Sequence, residues 1–148
     1  MTTDIKEIIH GKTYIGEGAR RRVFDFGNGN VIKVAKSKYG IKSNKREVKL
    51  YKWASGRLKK YLAKIRDFDH RYRWVIMKKY DAHFPNSKKY ERKLRKMRIR
   101  FKRVGISPYE VVMARTGKPN FANLRLKKSG KIVVIDYGNF KFYRKQDR

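Results

Sequence analysis

Tyr14-Ile15-Gly16-Glu17-Gly18, then Val23, then Val31-Ile32-Lys33-Val34-Ala35 reads as a strand, a glycine turn, a returning strand and a third strand with one lysine among apolar neighbours. Phe24-Asp25-Phe26 alternates, and Gly27-Asn28-Gly29-Asn30 is a strong tight-turn signal between the second and third strands. Two readings of Lys33 stand side by side. A half-buried strand exposes every second residue, so the lysine could simply face water; alternatively it supplies a fixed cation beside the glycine turn.

Working outward, Asn44 to Ala54 reads as a helix with Asn44 as its cap and Glu47 three residues on, Val48, Tyr51 and Ala54 on one face, and Gly56 as its stop. Leu62 to Phe68 and Arg73 to Lys78 read as two strands joined at Asp69-His70-Arg71. After Pro85 the period changes. Tyr90, Leu94, Met97, Phe101 and Val104 recur every three or four residues, which places them on one stripe of a helix that Gly105 ends. Ten Lys and Arg between Lys88 and Arg103 cover the rest of that helix, more simply a solvated face than a binding site. Ser107-Pro108 begins another helical segment through Met113, and Leu124-Arg125-Leu126 and Lys131 to Ile135 form a hairpin about Lys128-Ser129-Gly130. Arg144 to Arg148 reads as a frayed tail.

With 148 residues, 40% of them hydrophobic, the chain has enough material for one core but not for two independent ones. No cysteine occurs and the three histidines are scattered, which argues against disulfides and zinc. The sequence has neither an apolar run long enough to cross a membrane nor a leader pattern at Met1-Thr2-Thr3-Asp4-Ile5, so the expectation is a soluble cytoplasmic protein without a membrane partner. The net charge of +30 makes a polyanion the expected neighbour: nucleotide, nucleic acid or an acidic protein surface.

Near the other end, Asn123 lies thirteen residues before Asp136 in Ile135-Asp136-Tyr137-Gly138. A carboxylate closing a buried strand is costly unless paired or bound to a cation. The order Gly16-x-Gly18, Val23, Lys33, Glu47, Asn123 and Asp136 in Asp-Tyr-Gly resembles that of protein kinases, over roughly Tyr14 to Phe140. The resemblance implies an α+β, two-lobed fold in one domain over residues 1–148. An antiparallel five-stranded sheet with one helix would make the N-terminal lobe, 12–80, and a reduced helical C-terminal lobe, 81–148, would end shortly after Asp-Tyr-Gly. It further implies ATP and Mg as ligands. Gly16, Gly18 and Lys33 would face the phosphates, Glu47 would position Lys33, Asn123 and Asp136 would hold the metal, and Met77, Lys78 and Tyr80 would line the adenine. Glu47 has an alternative as the partner of an Asn44 cap.

The sequence departs from the family at three places. Lys118 stands where the proton-accepting Asp is found, and a lysine, cationic near neutral pH, suits phosphate charge better than proton abstraction. Arg21 replaces the third glycine, so that Arg20 to Arg22 reads as a basic tip. No peptide-binding helices follow Gly138, so the acceptor binds elsewhere, a homodimer mate or partner completes the site, or the chain is a pseudokinase. Glu110 and Asp81 are candidate substitute bases. Two function classes follow: a minimal phosphotransferase acting on protein or on itself, and an inactive kinase-like module that binds nucleic acid or an acidic partner through its basic surface.

Overall fold

The computed structural model describes residues 4–143, which leaves Met1 to Thr3 and the tail from Arg144 outside the described residues. The chain forms two compact units, one from Met1–Lys49 and Lys64–Lys79, the other from Leu50–Ala63 and Tyr80–Arg148.

The first unit is built on tight turns. Strands β1 (Thr13–Glu17), β2 (Arg21–Gly27) and β3 (Asn30–Ala35) follow one another as antiparallel neighbours, and β4 (Ile65–Phe68) and β5 (Trp74–Lys78) complete a five-stranded sheet in the order β1-β2-β3-β5-β4. This is the sheet expected from the sequence. The turn between β2 and β3 needs left-handed backbone at Asn28 (φ 55°) and Gly29 (φ 77°), residue types that tolerate it. Alternation along the strands gives the sheet two faces. Ile32, Val34, Trp74 and Ile76 form a buried cluster on one, joined by Phe24, Phe26, by Ile5 and Ile8 of a short helix, α1 (Ile5–Ile8), and by Ile9, which caps its C-terminal end. Asp4 caps that helix, its Oδ1 accepting from the Lys6 amide at 3.0 Å. Lys33 is paired across the ladder with Val23 and Val75, which places these three on the opposite face.

The helix expected from Asn44 begins earlier: α2 runs Lys38–Trp53, so Asn44 lies inside it and is not its cap. Propensity hides this start because Gly40 disfavours helix. Here the glycine is required by packing, since a Cβ at position 40 would sit 2.3 Å from the Arg20 carbonyl oxygen and 2.9 Å from Ala35.

Gly56 does not stop a helix but opens a short one, α3 (Gly56–Lys59), in the second unit. Leu62, expected to begin a strand, forms a parallel bridge with Val134, and the Ala63 amide donates to the Val134 carbonyl at 2.9 Å. After β6 (Ala82–His83) comes α4 (Lys88–Arg103), where Ser87 caps the first turn by accepting from the Tyr90 amide at 3.3 Å. Leu94, Met97 and Phe101 of the apolar stripe are buried, each contributing about 1.5–3 kcal/mol of transfer free energy. Val104 is exposed, because it lies just past the helix end, where Gly105 takes φ 85°. The helical segment expected at Ser107-Pro108 is absent: Ile106–Ser107 is strand β7, paired antiparallel with β10 (Lys141–Phe142). The hairpin of β8 (Leu124–Leu126) and β9 (Ile132–Val134) pairs Leu124 with Val134, and β6 flanks β8. Among the described residues no helix is long and apolar enough to cross a membrane.

Candidate functional site

In the first unit, strand β3 carries Lys33 and helix α2 carries Glu47. Both are buried, and Lys33 Nζ lies 3.2 Å from Glu47 Oε2. The pairing expected of these two residues is present, and the alternative in which Glu47 serves an Asn44 cap is not. Arg21, at the third-glycine position, shares the carboxylate: its Nη1 donates to Oε1 at 2.5 Å and its Nη2 to Oε2 at 3.1 Å. Asn44 closes the cluster, accepting from Arg21 at 2.9 Å and donating to the Tyr72 carbonyl at 2.9 Å. Arg21 is therefore an inward-facing residue and no part of a basic tip. Strand alternation was the available signal, since Arg21 lies two residues before Val23 and so shares its face.

Gly16 and Gly18 flank the turn between β1 and β2. Among the described residues a Cβ at either position would meet no atom within 4 Å, and neither has a positive φ, so nothing in their described surroundings demands glycine there. The Gly18 amide donates to the Arg21 carbonyl at 3.0 Å, so that amide closes the turn. Glu17 is held beside it by Lys36 and by the Tyr14 hydroxyl. These two hydrogen bonds, Lys36 first, hold the Glu17 carboxyl below its usual range.

Met77 is buried in β5 between Val31 and Ile65. The Lys78 amide donates to the Lys64 carbonyl at 2.8 Å and the Lys79 amide to the Gly29 carbonyl at 2.8 Å. Those two amide protons are engaged within the unit rather than presented to a base. Lys78 is exposed and Tyr80 half-buried.

In the second unit the hairpin brings Asn123 and Asp136 together. Asn123 ends a turn of 3-10 helix, Phe121–Asn123, and its carbonyl accepts from the amide of Ile135, the residue before Asp136, at 2.9 Å. Asp136 is half-buried, and its Oδ1 accepts from the Gly138 amide at 3.4 Å. Tyr137 anchors this segment: its ring is buried against Phe140, and its hydroxyl donates to the Ala63 carbonyl at 2.8 Å. The Asn123 amide group donates to the Glu110 carbonyl at 3.1 Å, which turns its Oδ1 away from that carbonyl. An amide oxygen and a carboxylate are the hard donors that Mg accepts, so the residue types fit that ion.

Lys118 is exposed in the irregular stretch before the 3-10 turn, where its amide donates to Thr116 Oγ1 at 3.2 Å. Asp81 is exposed just before β6.

Two solved structures share this architecture. WbdD in complex with the kinase inhibitor LY294002 is 14% identical over 86% of this chain, with a TM-score of 0.60. The Legionella pneumophila Lpg2603 kinase bound to IP6 is 14% identical over 88% of it, with a TM-score of 0.55. The fold is kinase-like. At this identity the likeness concerns the fold alone, and the chain spans 32% of the first protein and 50% of the second. No family model and no curated protein sequence matches the chain.

Within this kinase-like fold, sequence reading missed the surroundings of Glu110 that the three asparagines 120, 123 and 139 create. Each donates to Glu110, the first two to its carbonyl at 2.9 and 3.1 Å and the third to its Oε1 at 2.8 Å. Chain order separates these residues by up to 29 positions, and no local pattern announces their meeting.

Proposed function

We propose that this chain binds Mg-ATP and transfers its γ-phosphate to a hydroxyl on protein or on the chain itself. The observation that carries this reading is the buried Lys33–Glu47 pair, which holds an ammonium in place on an apolar strand next to the glycine turn. Buried ion pairs are weak devices for stability, so a site role accounts for this one better than folding does. In this reading Lys33 neutralises the α and β phosphates, Glu47 fixes Lys33, and Gly16 and Gly18 leave room for the phosphate oxygens. Asn123 and Asp136 hold Mg, which screens charge on the phosphates when bound. Lys118 offsets phosphate charge in this reading, and Met77, Lys78 and Tyr80 border the adenine.

Thermal-shift titration with ATP and MgCl2 tests the binding step. Ligand at about 100 times its Kd stabilises a protein by roughly 2.7 kcal/mol. The wild type is expected to shift, and Lys33→Ala and Asp136→Ala each to lose the shift, which asks whether one nucleotide depends on both residues. A wild-type shift that survives in both variants rejects the site.

One observation favours a second reading, in which the chain is an inactive kinase-like module that binds nucleic acid or an acidic partner. On α4, nine of the ten Lys and Arg are exposed, and Glu91 is the helix's one acidic residue. Duplex binding through such a face weakens with salt, with a slope of about 0.9 per neutralised phosphate. Affinity for a 20-bp duplex that is absent, or indifferent to salt, rejects this reading.

A further inference from the structure

We infer that Glu110, and not the residue five positions before Asn123, is the proton acceptor for the hydroxyl that receives the phosphate; this rests on the phosphotransferase reading above. Four observations converge on it. Glu110 is exposed, so an acceptor can reach it. Its backbone takes φ 71°, a left-handed conformation uncommon for a residue other than glycine. The side-chain amides of Asn120 and Asn123 both donate to its carbonyl and hold that backbone in place. The carboxylate is held as well, because Asn139 Nδ2 donates to Oε1 at 2.8 Å, and among the described residues no donor takes Oε2, which is left for an incoming hydroxyl.

The clamp is made by the same short segments that carry the candidate metal ligands. Asn123 is itself one of them, and Asn139 lies three residues after Asp136. A strained residue fixed at backbone and side chain, and tied to both ligand segments, is the arrangement expected of a group placed for chemistry. The candidate from sequence spacing, Lys118, is cationic and so carries no lone pair for a proton.

The step balances as follows. The acceptor O–H gives its proton to Glu110 Oε2, the acceptor oxygen forms the new bond to the γ phosphorus, and the bond from that phosphorus to the β–γ bridging oxygen breaks. ADP leaves with the bonding pair, and Glu110 returns the proton to solvent. Only an acceptor that bears a hydroxyl needs such a base, so the substrate class is an alcohol, a phenol or water, and not a carboxylate.

Glu110→Gln is the decisive variant, because glutamine keeps the length of the side chain and still accepts from Asn139. Label retained on the chain and phosphate released to water are counted together from γ-labelled ATP, alongside the Mg-ATP thermal shift. The variant is expected to lose transfer by about 100- to 10,000-fold and to keep the wild-type shift. Asn139→Ala, which frees the carboxylate, is expected to lower kcat with KM unchanged. Glu110→Gln turning over at the wild-type rate overturns the assignment, as does loss of turnover and shift together, which marks a structural role. A wild type that transfers no more label than Asp136→Ala sinks the phosphotransferase reading itself, and the role of Glu110 with it.

Discussion

Arg21 grips both carboxylate oxygens of Glu47, at 2.5 and 3.1 Å, while Lys33 reaches the same carboxylate at 3.2 Å. Two cations thus share one fully buried anion, and Arg21 provides the better geometry, a planar fork matched to a carboxylate. The consequence is that Glu47 stays oriented even when Lys33 is replaced.

Glu47→Gln removes the negative charge and leaves two buried cations side by side. It is expected to destabilise the fold by about 3–5 kcal/mol in urea titration, as removal of one partner of a buried pair does. Lys33→Met is expected to cost less, since Arg21 still satisfies the carboxylate. Equal losses for the two variants would contradict the shared-anion arrangement.

The glycines separate into two kinds. At Gly40 a Cβ collides with the Arg20 carbonyl, a backbone atom that cannot swing aside, so Gly40→Ala is expected to cost about 1–3 kcal/mol, toward the upper end. At Gly16 and Gly18 a Cβ meets none of the described residues, so Gly16→Ala and Gly18→Ala are expected to stay within about 0.5 kcal/mol of wild type in thermal unfolding. Both are expected to weaken Mg-ATP binding in the thermal-shift titration. Destabilised loop variants, or loop variants with full nucleotide affinity, would mean that these glycines serve some other purpose.

Asp69 links stability to acid. The Arg73 guanidinium donates to both of its oxygens, at 2.6 and 3.1 Å, and holds its carboxyl below the usual range. A folded-state pKa below the unfolded one means that the contribution is complete above about pH 4 and is lost as the pH falls through the folded value. The stability difference between wild type and Asp69→Asn should therefore be constant from pH 7 to about pH 5 and shrink below about pH 4. Urea midpoints measured across that range check this, and a gap that stays constant down to pH 2 would exclude the linkage.

Much of the first unit was legible because its information is local. Strand alternation and the Gly27-Asn28-Gly29 turn specify three consecutive antiparallel strands without reference to distant residues. Lys33 and Glu47 were placed on the right elements for the same reason. The start of α2 was not legible, because Gly40 opposes helix locally and is kept for a close approach to backbone twenty residues earlier. At Ser107-Pro108 a short strand was misread as helix, since two residues carry no period and their pairing partner lies beyond residue 140.

By itself the sequence determined the five-stranded sheet and the apolar stripe of α4, because period-two and helical patterning and turn chemistry act over a few residues. Tertiary structure alone decided that Arg21 turns inward to Glu47 and that three asparagines converge on Glu110. Both depend on contacts between segments far apart in the chain, where the free energy of pairing buried or strained groups, and not local propensity, selects the partner.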